Sequence, residues 1–245
     1  MMYTKPPITE AVIEFRFDGD CDEALREKIA RKLKKYYPFK ETIQEMVFQS
    51  GLNIVSQNVN LIGVKLSSLD RTEVFSLSEK ASHNVPDQLR SAAFSVSQLA
   101  PYNGWQKLLS RFNDNWSTIE QIIEYRKLTR IGVRFVNRID VPGHIDDSSH
   151  WVNVGIAIPN QLQKPITFNL QAVISLDTAK ANILVGLGPS PLPHHSAIVL
   201  DIDIYTLGVI SDREEERIKI LEDFHKKKNQ LFENCITEAA RELFK

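Results

Sequence analysis

Residues 10–17 of this chain read Glu10-Ala11-Val12-Ile13-Glu14-Phe15-Arg16-Phe17. Apolar residues occupy every second position, and charged residues fill most of the positions between them. Because successive side chains of a β-strand point to opposite faces of a sheet, this alternation predicts a strand with one buried and one polar face. The segment therefore indicates a sheet that is covered on one side only.

A similar pattern begins near the middle of the chain, in Ile131-Gly132-Val133-Arg134-Phe135. Around both copies the predicted elements follow in the same order, which is a strand, a crossing segment, several strands and a long helix. We therefore predict an α+β protein with two similar strand-helix-strands-helix halves, residues 1–126 and 127–245. The halves are expected to share one extended antiparallel sheet with helices on one face.

Three segments have the apolar spacing of amphipathic helices. The first runs from Asp22 to Tyr37, and the second begins near Asn103, where Asn103 and Gln106 have the spacing of a capping box. The third runs from Arg213 to Phe244 and is predicted as one long closing helix.

The composition is that of an ordinary globular protein and excludes several classes. Thirty Lys and Arg against 31 Asp and Glu give a net charge of -1, which does not favour a dedicated nucleic-acid-binding domain. The two cysteines, Cys21 and Cys235, form no pattern of a disulfide framework or a metal site. No secretory leader or membrane-spanning run is recognisable, so we expect a cytoplasmic protein without a membrane partner. No cofactor is expected either.

Five ordered segments resemble a known family. They are Pro6-Pro7-Ile8-x-Glu10-Ala11-Val12-Ile13-Glu14, Leu99-x-Pro101-Tyr102-x-x-Trp105, Arg130-Ile131-Gly132-x-Arg134-Phe135-x-Asn137-Arg138-Ile139, Asp201-Ile202-Asp203, and His225-x-x-x-Asn229-x-x-Phe232-x-x-x-Ile236-Thr237-x-x-x-Arg241-Glu242-Leu243-Phe244. Together they resemble a sporadically distributed bacterial family of hypothetical proteins of about this length. The resemblance implies genes that move between genomes, a habit of phage-defence and toxin–antitoxin loci. It supplies no catalytic residues.

The first candidate site is the pair His225 and Asn229, which lie one helical turn apart within the apolar stripe of the closing helix. The pair could present an imidazole and an amide to a ligand or partner. Alternatively, both groups satisfy neighbouring backbone and tie the helix to the sheet, which is the usual reason for a buried polar pair. We favour the second interpretation.

The second candidate is a polar sheet face that we call the charged face. Its candidate binding residues are Glu14, Arg130, Arg134, Arg138, Asp201 and Asp203. Arginines on such a face could read the carboxylates or phosphates of a docking partner. Cross-strand ion pairs on a solvated face are the competing interpretation, and the mixed signs argue against nucleic acid.

The third candidate is a metal site. His144, Asp146, Asp147 and His150 lie close together in sequence, and His194 and His195 form a second group. Their spacing matches no established metal motif, so chance loop composition is the favoured interpretation and no metal is assigned.

These patterns favour a non-catalytic binding or adaptor protein with a protein partner or homo-oligomer, and the family resemblance implies that it belongs to a phage-defence or toxin–antitoxin system. Two alternatives stay open. One is a metal-dependent hydrolase that acts on nucleotides or RNA, using His144, His150 or the pair His194 and His195. The other is a small-ligand sensor with Arg134 and His225 among its contacts.

Overall fold

Nine strands form one antiparallel sheet that contains segments from both parts of the chain. The computed structural model describes residues 3–51, 54–80, 91–124, 126–155, 168–208 and 210–245. The strands are β1 (Ile8–Asp18), β2 (Phe39–Gly51), β3 (Ile54–Ser67), β4 (Glu73–Lys80), β5 (Ser91–Leu99), β6 (Leu128–Pro142), β7 (Asn169–Leu176), β8 (Ala179–Pro189) and β9 (His195–Leu207). The helices are α1 (Glu23–Leu33), α2 (Trp105–Glu120), α3 (Glu214–Cys235) and α4 (Glu238–Glu242).

The strand order is β2-β3-β4-β5-β1-β6-β9-β8-β7, with β1 and β6 paired directly. In that pair Ala11 lies opposite Phe135, and Ile13 lies opposite Val133. All four side chains are fully buried, as the alternation in both segments predicts. The prediction of an α+β protein with one extended antiparallel sheet is confirmed.

The core lies between this sheet and the helices. On α2, the ring of Phe112 packs edge-on against Phe15 with a centroid separation of 4.6 Å, and Trp116 lies 5.0 Å from the same ring. α3 contacts β6 and β9. Truncating an aromatic residue in such a core costs about 3–5 kcal/mol, so these contacts contribute strongly to holding α2 on the sheet.

The helix boundaries differ from the predictions in two places. α2 begins at Trp105 after Gly104, which has a φ of 100° and makes no side-chain cap, so the capping box of Asn103 and Gln106 was wrong. The third helix is also not continuous, because Ile236 takes an extended backbone and bridges Val152. α4 then starts after Thr237, whose side chain accepts a hydrogen bond from the Ala240 backbone N–H.

Two further contacts fix this break. The Thr237 hydroxyl donates to the His150 carbonyl at 2.7 Å, and the Asn153 amide donates to the carbonyls of Asn234 and Ile236 at 3.0 and 3.1 Å. The C-terminal segment is thereby attached to the loop that follows β6. None of the helices described is long and apolar enough to cross a membrane.

Candidate functional site

The charged face lies on the side of the sheet away from α2 and α3. Val12 faces Arg134 across the β1–β6 pair, and Arg134 faces Asp203 across the β6–β9 pair. Side chains alternate along each strand, so the residues that pack on the helices are the intervening ones. The structure therefore brings Glu14, Arg134 and Asp203 onto one face.

Arg130 is the centre of this face and is buried, with only 6% of its side chain exposed. Its Nη1 donates to Glu14 at 2.6 Å, and its Nη2 donates to Asp203 at 2.7 Å. The guanidinium also lies 4.6 Å from the centroid of the Tyr205 ring. A Cβ at Gly132 would lie 2.4 Å from Nη1, so the guanidinium occupies the space that a side chain at this position would need.

Burial raises the pKa of Asp203, although the Arg130 charge acts in the opposite direction. A buried carboxylate with a raised pKa depends on its cation more strongly than an exposed one does. The Arg130 group is therefore an ion-pair cluster in which one buried cation joins two carboxylates, and Glu14 also accepts a hydrogen bond from Arg16 Nε at 2.8 Å.

The other arginines of the charged face are also paired within the chain. Arg134 donates to Asp201 through Nε and Nη2, at 2.9 and 2.6 Å to the two oxygens. Half of the Arg134 side chain is exposed. Arg138 donates to Asp140 at 3.0 Å. The guanidinium groups predicted to read a partner are thus already engaged by carboxylates of the chain.

A different cation lies on the helix side of the sheet. Lys228 belongs to the buried stripe of α3, between Phe224 and Phe232, and is only 5% exposed. Its Nζ lies 3.8 Å from the centroid of the Phe135 ring on β6. Burial lowers the pKa of Lys228 to about 7.

Lys228 has no ion-pair partner. Within the described ranges, no side chain or backbone group forms a hydrogen bond or salt bridge with its Nζ. Glu233 is the carboxylate whose charge acts on Lys228, but it accepts hydrogen bonds from Tyr3 at 2.8 Å and from Arg241 at 3.0 Å. Among the described residues, the ammonium group contacts the face of Phe135 and also lies in the field of the Glu233 charge.

Two further polar side chains, His225 and Tyr102, contact Phe135, and Trp105 stacks on His225. The His225 ring lies 6.0 Å from the Phe135 ring and stacks on Trp105, with centroids 4.3 Å apart and planes 3° from parallel. Tyr102 packs edge-on against Phe135 at 5.6 Å. We call Tyr102, Trp105, Phe135, His225 and Lys228 the Lys228 cluster.

Two polar atoms of the Lys228 cluster are buried without a hydrogen-bond partner among the described residues. They are the Tyr102 hydroxyl and Trp105 Nε1. Burial, followed by the Lys228 charge, lowers the pKa of His225 to about 4, so its imidazole is neutral at physiological pH. The cluster thus combines an unpaired cation with two unused hydrogen-bond donors.

Sequence reasoning found only part of this cluster. His225 was a candidate and lies in it, whereas Asn229 is exposed on the next turn, with its Nδ2 3.5 Å from His225 Nε2. Lys228 was missed because it stands in a basic run that is typical of a solvated helix face. The available signal was its spacing, four residues after Phe224 and four before Phe232.

The segments that carry the family resemblance also meet in the Lys228 cluster. Tyr102 and Trp105 belong to the second segment, Phe135 to the third and His225 to the fifth. These segments are far apart in sequence, and the fold brings them together through β6, α2 and α3.

The candidate metal ligands lie elsewhere. His144, Asp146, Asp147 and His150 line a shallow surface depression after β6. His195 Nδ1 lies 2.8 Å from the Pro193 carbonyl. In the part of the chain that the structure describes, no three His, Cys, Asp or Glu side chains form a group that could hold a metal ion.

Comparisons with known proteins give little further information. Neither a protein-family model nor a curated protein matches the chain. Among solved structures, it is similar to the crystal structure of the di-domain ARO/CYC StfQ from the steffimycin biosynthetic pathway, at 10% identity. That match covers 95% of this chain and 96% of the other, with a TM-score of 0.24, which is too low to establish a shared fold.

Proposed function

We propose that this protein is a non-catalytic binding protein, and that its ligand or partner engages the Lys228 cluster. The observation that carries the proposal is a nearly buried lysine without a carboxylate partner. Removing an ammonium group from water costs several kcal/mol unless a counter-charge compensates it. A bound group that supplies a counter-charge to the ammonium group would explain why a lysine is buried at this position.

The contrast with other buried cations supports this choice. Arg130, Arg217 and Lys228 are the buried cationic residues of the described chain. Arg130 has two carboxylate partners, and Arg217 lies 3.3 Å from Glu120. Residues whose burial costs stability are expected at functional sites. Among these three buried cations, only Lys228 lacks a carboxylate partner within the described residues.

The charged face has a structural role in this proposal. Arg130, Arg134 and Arg138 hold carboxylates on their own or neighbouring strands, and Arg130 is too buried to reach a partner. His225 and Asn229 belong to the binding side, because His225 contacts the cluster and Asn229 lies at its solvent-exposed rim. Of the candidate binding residues named from the sequence, only His225 and Asn229 are therefore kept in the proposed binding site.

The biological setting follows from the family resemblance. A scattered distribution suits a component of a bacterial phage-defence or toxin–antitoxin system, in which an adaptor binds a partner protein or a signal molecule. We also propose that residues 1–126 and 127–245 are duplicated halves with their helices on one face of the sheet. The outward order β1-β5-β4-β3-β2 on one side and β6-β9-β8-β7 on the other supports this origin.

The test is native mass spectrometry of the protein purified from its host. The wild type is compared with Lys228→Met and with Lys226→Met, which changes an exposed lysine of the same helix. We expect a bound molecule or partner on the wild type and on Lys226→Met, but not on Lys228→Met. Bare wild-type protein, or an identical partner set for all three proteins, contradicts the proposal.

A further inference from the structure

The chemistry of the Lys228 cluster indicates which class of ligand it accepts, and this inference rests on the proposed function. We propose that the cluster binds a single carboxylate group carried by an aromatic or other flat apolar body. The charge, the hydrogen-bond donors and the aromatic rings of the cluster each contribute to this assignment.

The charge of the ligand follows from the missing counter-ion. Lys228 has no carboxylate partner, and Glu233 is occupied by Tyr3 and Arg241. A monoanion would neutralise the single ammonium group. A phosphate dianion would bring a second charge into a buried site that has no second cation, since His225 is neutral there.

The hydrogen-bonding groups indicate an acceptor. The Lys228 ammonium and the Trp105 indole can only donate, and the Tyr102 hydroxyl has a proton to donate. An ionised carboxylate only accepts, with about four lone-pair sites on its two oxygens. An amide or an amine at this position would bring donors of its own towards a site that already lacks acceptors.

The body of the ligand follows from the surrounding rings. Tyr102 and His225 are only half-buried, and their rings lie beside the polar atoms, with the Trp105 indole stacked on His225. A flat apolar group attached to the carboxylate would bury its surface against these rings. The same chemistry occurs in a free aromatic acid and in the C-terminal residue of a partner chain.

Three probes with one ring and different charges test the inference. They are benzoate, neutral benzamide and cationic benzamidinium, each titrated by calorimetry at pH 6.5 into the wild type, Lys228→Met, Lys226→Met and Tyr102→Phe. We expect benzoate to bind in preference to the other two. Its affinity should fall about 10- to 100-fold in Lys228→Met, because a hydrogen bond to a charged group is lost. It should fall about 2- to 10-fold in Tyr102→Phe and stay unchanged in Lys226→Met.

The outcomes separate this inference from the proposed function. Equal binding of the three probes, or tighter binding of benzamide or benzamidinium, overturns the carboxylate assignment and leaves the binding site in place. Inorganic phosphate that binds more tightly than benzoate also overturns it. No binding of any probe, together with bare protein from the host, overturns both.

A second comparison identifies the source of the carboxylate. A short peptide that ends in phenylalanine is titrated with a free and with an amidated C terminus. Tighter binding of the free-acid peptide than of benzoate supports the carboxylate assignment and identifies a partner chain terminus as the source. Binding of benzoate alone supports a small acid. Equal binding of the free and amidated peptides contradicts the carboxylate assignment.

Discussion

At the scale of single residues, Arg130 and Lys228 show two ways in which this chain buries a cation. Arg130 lies on the charged face between Glu14 and Asp203, with both contacts under 2.8 Å. Lys228 lies on the helix side above Phe135 and has no such partner. The first arrangement compensates the cost of desolvation, whereas the second does so only in part. Substitutions at the two positions should therefore change stability in opposite directions.

Replacing Lys228 with methionine should stabilise the free protein. Methionine fills similar space without a charge, and apolar replacement of buried charged groups is neutral or stabilising by about 1–4 kcal/mol. Loss of the contact with Phe135 reduces this gain. Urea unfolding at pH 7 measures the difference, with Lys226→Met as the control; a Lys228→Met protein that is less stable than the wild type would indicate a structural role for the ammonium group.

The effect of Lys228 depends on pH with a definite sign. Its folded-state pKa of about 7 lies below the ordinary value of 10.5, so unfolding takes up a proton between these values. Wild-type stability should therefore rise with pH across this window, relative to Lys228→Met. The advantage of the variant should be largest at and below pH 7 and disappear as the pH approaches 10.5. A free energy of unfolding that changes with pH in the same way for both proteins would contradict this prediction.

Replacing Arg130 with methionine should destabilise the protein strongly. Glu14 and Asp203 would stay behind without their shared cation, and removing one partner of a buried pair costs about 3–5 kcal/mol. Arg134→Met is the matched control on the same strand, because that pair is half exposed and contributes less than about 1 kcal/mol. Chemical denaturation of both variants at pH 7 tests the contrast. Equal losses would mean that the burial of Arg130 does not matter.

At the scale of elements, the C-terminal segment consists of two helices rather than one. α3 carries the Lys228 cluster, and α4 is attached through Thr237 to the loop after β6. Arg241 donates to the Glu233 carboxylate and carbonyl at 3.0 and 2.7 Å, across the break between the helices. The charge of the same carboxylate also acts on Lys228.

Thr237→Ala should cost about 1–2 kcal/mol. The hydroxyl accepts from the Ala240 backbone and donates to the His150 carbonyl, so the variant loses a helix cap and a tertiary hydrogen bond. Thr118→Ala is the control, since that hydroxyl bonds only to Asp114 of its own helix, and it should change stability by less than about 0.5 kcal/mol. Thermal unfolding of both variants gives the comparison, and similar values would show that the break tolerates loss of its cap.

At the scale of the whole molecule, the sheet could be predicted from sequence because apolar residues recur at every second position in the middle of both central strands. The capping box at Asn103 failed because Gly104 supplies the turn into α2 through its positive φ. The break at Ile236 was not visible, since the apolar spacing continues through it. The contacts that fix it, which are the bridge to Val152 and the hydrogen bonds of Thr237 and Asn153, depend on the loop after β6.

The Lys228 cluster could not be predicted for a related reason. Consecutive helical residues point about 100° apart, so at most one lysine of the run 226–228 can face the sheet directly. Choosing which one requires the position of Phe135, and that position depends on how α3 packs across β6. Whether the arginines of the charged face were free or paired likewise depended on the register of β1, β6 and β9.

The sheet also predicts how the chain responds to division. β1 pairs with β6 along nearly the full length of β1, so residues 1–126 and 127–245 expressed alone would each expose an apolar strand edge. We expect each fragment to be unfolded or aggregated by circular dichroism and gel filtration, and co-expression to restore a soluble complex. A folded, monomeric fragment would contradict this dependence.

The titration of lysine side chains by NMR tests the central claim most directly. Protein labelled with ¹³C at lysine Cε is followed from pH 5 to 11, for the wild type and for Lys228→Met. The buried, unpaired ammonium group predicts one wild-type resonance that titrates near pH 7, is absent from the variant, and shifts to a higher pKa when benzoate is added. A wild-type spectrum in which every lysine titrates near its ordinary value of 10.5 would contradict it.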